Sequence, residues 1–407
     1  MFYNLKDNVY LVTGACKSCL YDFNTQKLYS INEVLSAKIQ LLNEGKLDSS
    51  SVDESLAKIL TDFIDLNLIT LSEHNHPHYI QEIQSNSSNI EMAWVELTNR
   101  CNLKCLHCYN ESDSQKDTVM SFSDYKKVID QLIELKVKKL QLIGGEPFTQ
   151  KELLRNMLDY IVNKFPFIEI FTNGTLITPE WFEYLAKNHI HIAVSIYSYD
   201  PKVHDTVTGK NGSWLASNQM IQQLKSYGIR YRVCNVLMKN ITLGEKCTDL
   251  YTLSSEKDIV RMSGRANFLL LSDELIRKQL ITKETFQGKL QKKFCMRLLQ
   301  GHNCFQSKLY IAANLDVFPC VMERRLKHCN IQESGKIVLN SAIQHLNKDK
   351  IKDCCCCEYR YLCFDCRPNS ISNEILEKPW YCTYNPTTAT WEDEDKFITA
   401  LKLKWGS

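Results

Sequence analysis

No apolar run in the 407 residues approaches the roughly 20 needed to cross a bilayer, so no membrane-spanning helix is expected. Charge of neither sign dominates, with 49 Lys and Arg against 47 Asp and Glu. That balance gives no electrostatic grip on nucleic acid or on an anionic membrane. The opening stretch, MFYNLKDNVYLV, lacks the basic region and apolar segment of a signal peptide. A soluble, cytoplasmic chain of two or three domains is the expectation, with no nucleic acid and no membrane among its partners. The exception to this scarcity is cysteine. There are 18, most of them crowded into two regions. Disulfide frameworks belong to small secreted domains. In a cytosolic chain, clustered cysteines more often hold metal, and spacing must decide between zinc and iron–sulfur clusters.

Three segments differ in pattern. Residues 1–85 read as a small α+β unit, with strand-like NVYLV, SCLYDF and KLYSIN followed by helices near Asn32–Glu44 and Ser51–Leu66. Three strands and two helices suggest a winged-helix-like module. The stretch His74–Ser88 reads as a solvated linker, its three histidines being a weaker candidate for metal. Residues 90–285 alternate strand-like runs with helical ones. The strands are expected at Met92–Leu97, Lys139–Ile143, Phe167–Phe171, His191–Tyr197, Arg230–Leu237 and Ile259–Met262. The first helix would bury Tyr125, Val128, Ile129, Leu132 and Ile133 behind an N-cap at Ser121 or Ser123. Six such repeats imply an α/β fold with a parallel sheet, closed as a partial (β/α)6 TIM-like barrel whose site lies at the C-terminal strand ends. Residues 286–407 form a cysteine-rich tail. It has a hairpin expected around Ala313–Leu315 and a closing amphipathic helix at Trp391–Lys404.

Leu97–Tyr109 reads LTNRCNLKCLHCY, placing Cys101, Cys105 and Cys108 as C-x3-C-x2-C directly after the first expected strand. Three thiolates bind three irons of a cubane cluster and leave the fourth for a substrate. Structural zinc wants four ligands, and His107 could supply the fourth. Gly144-Gly145-Glu146-Pro147 follows the second strand, Asn173 the third and Ser195 the fourth. Read from the residues, Asn173 and Ser195 are equally well turn chemistry or barrel lining.

With these motifs the sequence resembles the radical S-adenosylmethionine (SAM) superfamily. The resemblance implies that Cys101, Cys105 and Cys108 hold a [4Fe–4S] cluster whose open iron takes the amine and carboxylate of SAM. His107 then lies near the adenine. Gly144, Gly145, Glu146 and Pro147 receive the methionyl ammonium, and Asn173 and Ser195 approach the ribose and carboxylate. Thr208 stands where relatives carry an arginine.

In the tail, Cys354, Cys357, Cys363 and Cys366 read C-x2-C-x5-C-x2-C, and Cys295, Cys304, Cys320 and Cys382 flank them. This resembles the SPASM extension of peptide-modifying radical enzymes, with the last gap one residue shorter and Leu315 where glycine is usual. The resemblance implies one auxiliary cluster on Cys295, Cys304, Cys320 and Cys366. A second would sit on Cys354, Cys357, Cys363 and Cys382, making three [4Fe–4S] clusters in all. Cys355 and Cys356 leave the register open, and a double zinc-ribbon-like fold is the alternative. Cys16-x2-Cys19 has no redox context. Cys234, two residues from Arg232 on one strand face, is a buried thiol or a hydrogen-atom donor.

Residues 1–85 resemble the peptide-recognition element of maturases acting on ribosomally made peptides, which pairs with an extended leader. Against DNA, helix Ser51–Leu66 carries Asp53, Glu54, Asp62 and Asp65 with one lysine. EYRYLCFDCRP resembles the group found beside ATP-grasp partners. The implied activity is modification of a precursor peptide, first by thioether cross-linking, with other carbon–carbon or carbon–oxygen links and epimerisation as alternatives. A flavodoxin or ferredoxin would supply electrons. Val321 replaces the acidic residue expected for sulfatase maturation. A zinc-stabilised, non-enzymatic peptide-binding scaffold is the alternative of another class.

Overall fold

The computed structural model describes residues 1–82, 89–256 and 258–406. The chain opens with β1 (Phe2–Leu5), β2 (Val9–Val12), β3 (Lys17–Asp22), β4 (Lys27–Asn32), α1 (Glu33–Asn43), α2 (Glu54–Asp65) and β5 (Ile69–Ser72). β2, β3 and β4 form an antiparallel sheet, and β1 pairs with β5 as a separate ribbon. Asn32 and Asp53 cap the two helices by accepting from Leu35 N and Leu56 N at 2.8 Å. Leu56 and Leu60 then bury against Leu20, Ile31 and Ile39.

The stretch expected as a solvated linker docks back over its first part. Asn4 Nδ2 donates to the His74 carbonyl, His78 Nε2 lies 3.0 Å from the Val9 carbonyl, and Ile80 is fully buried. Buried backbone needs partners, and this segment finds them on β1 and β2. Residues 83–88 of the expected linker lie outside the described residues.

The middle of the chain alternates β6 (Met92–Glu96), α3 (Phe122–Glu134), β7 (Lys139–Ile143), α4 (Lys151–Ile161), β8 (Phe167–Thr172), α5 (Pro179–Lys187), β9 (His191–Ser195), α6 (Pro201–Thr208), α7 (Ser213–Ser226) and β10 (Tyr231–Cys234). These strands pair in parallel, each with its sequence neighbour. Ser121 caps α3, and Tyr125, Val128, Ile129 and Leu132 are buried, whereas Ile133 is exposed.

The expected sixth strand does not form. Leu237 and Ile259 make an isolated parallel bridge, and beyond it the chain bonds elsewhere. Asn235 turns aside to Ser254, and Met262 N donates to Asn369 Oδ1 in the tail. A sixth parallel strand comes instead from the tail, which follows α8 (Asp273–Arg277) and α9 (Lys292–Gln300). β11 (Lys308–Ile311) lies parallel to β6, and β12 (Asp316–Phe318) and β13 (Cys329–Asn330) continue antiparallel. The result is an α/β fold on a mostly parallel eight-stranded sheet, ordered β10-β9-β8-β7-β6-β11-β12-β13. The β11–β12 hairpin matches the expected one, with Leu315 at φ +69° where glycine is usual. The closing helix runs Glu394–Trp405 and buries Ile398 and Leu401.

Candidate active site

Beyond β6 the chain leaves the sheet as the loop carrying Cys101, Cys105 and Cys108. The loop is laced down on three sides. Cys101 N donates to Asp113 O, Lys104 N to Thr208 O, Leu106 N to Val207 O and Arg265 N to Cys108 O, all within 3.1 Å. The Arg265 guanidinium donates to the carbonyls of Cys105, Glu111 and Ser112. Gly264 has φ +59°, and a Cβ there would collide with the Cys108 and Tyr109 carbonyl oxygens. Gly264 and Arg265 were not among the expected site residues. A glycine in an irregular stretch was their only local signal.

One cavity of about 290 Å3 opens at the C-terminal ends of β6 to β10. Cys101, Cys105, Cys108, His107, Gly144, Gly145, Asn173, Ser195 and Cys234 all line it. Trp94, Tyr197, His204 and Met322, not singled out by the sequence, line it too. Leu103 N donates to Cys101 Sγ and Ser112 N to Cys108 Sγ, each at 3.4 Å. Burial pushes the Cys101 thiol up to about 12 despite the Leu103 donor. Two lining atoms, His107 Nδ1 and Ser112 Oγ, are buried without a hydrogen-bond partner. Buried polar atoms normally have partners, so these two fit a bound group. Burial lowers His107 to about 4, keeping its ring neutral, and it meets Tyr197 edge to face at 4.8 Å. The thiols surround the cavity rather than converge: among the described residues no three His, Cys, Asp or Glu side chains group as ligands of one ion.

Glu146 and Pro147 stand differently from expectation. Neither lines the cavity. Glu146 is fully buried, and its carboxylate accepts from Phe148 N, Thr172 Oγ1 and Asn173 N. Those bonds lock the Gly-Gly-Glu-Pro turn to the end of β8. Burial pushes Glu146 up to about 7 despite the donors. Pro147 heads a short 3-10 turn. Asn173 is also heavily engaged: its amide donates to Asn102 Oδ1 at 2.9 Å, and its Oδ1 accepts from Thr175. It braces the cysteine loop as well as lining the cavity.

The stretch His204–Gly209 shows what stands in the arginine's place. Thr208 Oγ1 bonds Ser213 Oγ, while the Val207 and Thr208 carbonyls hold the cysteine loop. Among the described residues no Lys or Arg lines the cavity. Cys234 faces inward, with Arg232 Nη1 at 2.9 Å from its sulfur and Arg232 itself paired to the buried Glu169.

In the tail, Cys354, Cys357, Cys363 and Cys382 line a second, small cavity together with Lys348. Lys348 is buried and paired with Asp365 at 2.6 Å. Cys355 is exposed, and Cys356 donates to the Asp353 carbonyl; neither lines that space. Cys304 and Cys320 pack around Phe305 and Ile351. Cys295, expected with them, lies apart on α9.

Residues 95–246 match the model of the Radical SAM superfamily. The antilisterial bacteriocin subtilosin biosynthesis protein AlbA of Bacillus subtilis is 35% identical over 191 residues, 45% of this chain and 42% of that protein. The mycofactocin maturase MftC of Mycolicibacterium smegmatis is 30% identical over 138 residues, 34% of each chain. The chain thus spans less than half the length of these two relatives. The crystal structure of SuiB from Streptococcus suis covers 92% of this chain and 99% of its own, with a TM-score of 0.55 at 15% identity, a likeness of fold. The chain carries a radical SAM superfamily domain at residues 95–246.

Proposed function

We propose that this chain is a radical SAM peptide maturase. One observation carries the reading: Cys101, Cys105, Cys108, Gly144, Gly145, Asn173 and Ser195, distant in sequence, line a single cavity. Cys101, Cys105 and Cys108 would hold a [4Fe–4S] cluster, which when bound would supply the one electron for reductive cleavage of SAM to methionine and a 5′-deoxyadenosyl radical. The chain's own part is to hold and shield. The Gly144–Gly145 turn and Ser195 offer polar groups to the methionyl end, while His107 and Tyr197 offer an aromatic wall to the adenine. Trp94 and Phe171 exclude water from the space between.

In this reading residues 1–85 are the recognition element, 90–285 the radical domain and 286–407 the SPASM domain with two auxiliary [4Fe–4S] clusters. β4 forms the outer edge of the three-stranded sheet. An edge strand can add an extended peptide, here the leader of the precursor. The names of AlbA, a bacteriocin biosynthesis protein, and MftC, a maturase, support a peptide substrate. The favoured modification is a thioether between a peptide cysteine and a carbon. Epimerisation is the second reading, supported by Cys234 lining the cavity. A flavodoxin or ferredoxin is the proposed reductant, and the cytoplasm the proposed compartment. No helix of the described residues is long and apolar enough to cross a membrane.

The test is 5′-deoxyadenosine formation by anaerobically reconstituted protein under a reductant. Wild type forms it and Cys101→Ala does not; equal turnover would refute the assignment, and zinc in place of iron would restore the scaffold alternative. With a precursor peptide, a thioether lowers product mass by about two hydrogens. Epimerisation leaves mass unchanged in water and incorporates deuterium in heavy water.

A further inference from the structure

The two faces of the N-terminal sheet meet different parts of the molecule. Side chains alternate along β4, so neighbours point to opposite faces. Tyr29 and Ile31 pack on one face with Ile39, Leu56 and Leu60 of α1 and α2. Leu28 packs on the other, with Leu362 and with Cys295 and Leu299 of α9. On that second face a groove of about 300 Å3 opens, lined by Leu28, Phe286, Leu290, Phe294 and Leu362. Phe286 and Phe294 are half-buried, so apolar surface reaches solvent there.

The groove abuts a strand edge with backbone to offer. β4 is the outer strand of its sheet, and among the described residues Leu28 to Ile31 make no backbone hydrogen bond outside their pairing with β3. Just before β4 the edge is taken, because Leu290 N donates to the Gln26 carbonyl at 2.9 Å. A peptide added to β4 therefore starts or stops beside Gly288–Leu290, and every second side chain of it faces the groove. Charge around the groove is nearly all of one sign. Residues 283–294 carry Lys283, Lys289, Lys292 and Lys293 against Glu284 alone. Lys292 donates to Asn8 Oδ1. Lys283, Lys289 and Lys293, with Lys27 at the start of β4, are exposed, and among the described residues no ion pair holds them.

We propose that this groove reads the leader of the precursor peptide. An apolar leader side chain seats among Leu28, Phe286 and Phe294, and acidic leader residues on either side of it pair with Lys27, Lys283, Lys289 and Lys293. The anchor is thus recognised by a segment of the cysteine-rich tail and not by the helices of residues 1–85. Burial of the anchor supplies affinity, while the lysines set orientation and reject basic peptides. The inference rests on the maturase reading above and deepens it, because it names the chemistry of the leader: an extended stretch in which apolar and acidic residues alternate.

The test is fluorescence anisotropy on the full chain, reconstituted anaerobically, with a fluorescein-labelled synthetic peptide that alternates Glu and Val around a central Leu. Wild type is expected to bind it, less tightly as salt rises. Lys289→Glu combined with Lys293→Glu should lower affinity by about ten-fold or more, whereas Lys289→Arg should keep it. Gly288→Trp fills the groove, and a Cβ at Gly288 meets nothing within 4 Å, so the backbone has room for it. That variant should lower affinity by a similar factor, as should Ala in place of the peptide's Leu. Equal binding of a peptide with Lys in place of Glu, unaltered affinity in Gly288→Trp, or no binding by wild type would each overturn the groove. Formation of 5′-deoxyadenosine by the same wild-type preparation is measured without peptide. Its presence where binding fails overturns the groove alone and leaves the maturase reading intact. Its absence where groove-dependent binding is seen overturns the maturase reading and leaves an acidic-peptide site.

Discussion

Single side chains set the conditions under which this site survives. Burial lowers His204 to about 4, although the neighbouring Asp205 pulls the other way. Its Nδ1 accepts from Tyr197 N and its ring stacks on Tyr197, so the neutral form is built into the cavity wall. In the unfolded chain a histidine takes its proton near 6.5. Between about 6.5 and about 4 the unfolded state therefore binds one more proton, and stability falls as pH falls. The expected slope from this residue is about 1.4 kcal/mol per pH unit. His204→Asn should remove that share of the dependence, seen as a smaller drop in urea midpoint between pH 6.5 and pH 5; an unchanged slope would refute it. Leu315 poses a second residue-scale question, since it holds φ +69° while 6% exposed in the main core. Replacing it by glycine relieves about 1–2 kcal/mol of left-handed strain. It also forfeits burial on the scale of a Leu→Ala change, about 2–5 kcal/mol. The second term is larger, so Leu315→Gly should destabilise by about 1–3 kcal/mol in urea titration, and a gain in stability would contradict this account.

At the scale of elements, the cysteine loop is held by pieces far apart in the chain. The end of α6 takes Lys104 and Leu106, and the Gly264–Arg265 strap takes Cys108 and three carbonyls. A planar guanidinium reaches several carbonyls at once, which an ammonium on a flexible stem does not. Arg265→Lys should therefore leave folding nearly unchanged but loosen the loop. The measurement is the rate at which the iron–sulfur absorbance bleaches in air, expected several-fold faster than wild type; an equal rate would remove the strap from this role. Much of the scaffold around the loop was legible in the residues. Met92–Glu96, Lys139–Ile143 and Phe167–Thr172 are dense apolar runs followed by turn residues, and each forms a strand where expected. The cysteine spacing and the Gly-Gly-Glu-Pro turn marked the lining before any geometry. Two things were not legible. Ile259–Met262 has a strand's composition, yet only Val260 N bonds back to the sheet side at Leu237 while Met262 N donates to Asn369 Oδ1, a pairing no local pattern records. β11 enters beside β6 across more than 200 residues of chain, and such non-local pairing leaves no trace in periodicity.

Over the whole molecule, the N-terminal sheet and the cysteine-rich tail are packed as one piece. The turn between β2 and β3 lies on the Cys354–Tyr361 block. Ala15 N donates to the Cys356 carbonyl, Tyr21 OH to the Glu358 carbonyl, and Arg360 Nη1 to the carbonyls of Thr13 and Cys357. Arg360 is the hinge of this contact, because one guanidinium nitrogen spans both partners and its Nε holds Asp349. It is 7% exposed, so its removal leaves buried carbonyls unpaired, each at a cost of about 1–3 kcal/mol. That loss falls on the interface, since the bonds of Arg360 run to Thr13, Cys357 and Asp349. Arg360→Met, which keeps the apolar stem, should therefore open the contact locally. Amide hydrogen exchange should rise by about ten-fold or more over residues 13–16 and 356–358, which corresponds to about 1.4 kcal/mol, while β6 to β9 keep wild-type protection. If exchange rose equally in the central sheet, the two parts would be unfolding as a single cooperative unit and Arg360 would be an ordinary core residue. If it rose nowhere, the remaining bonds from Ala15 and Tyr21 would suffice to hold the turn.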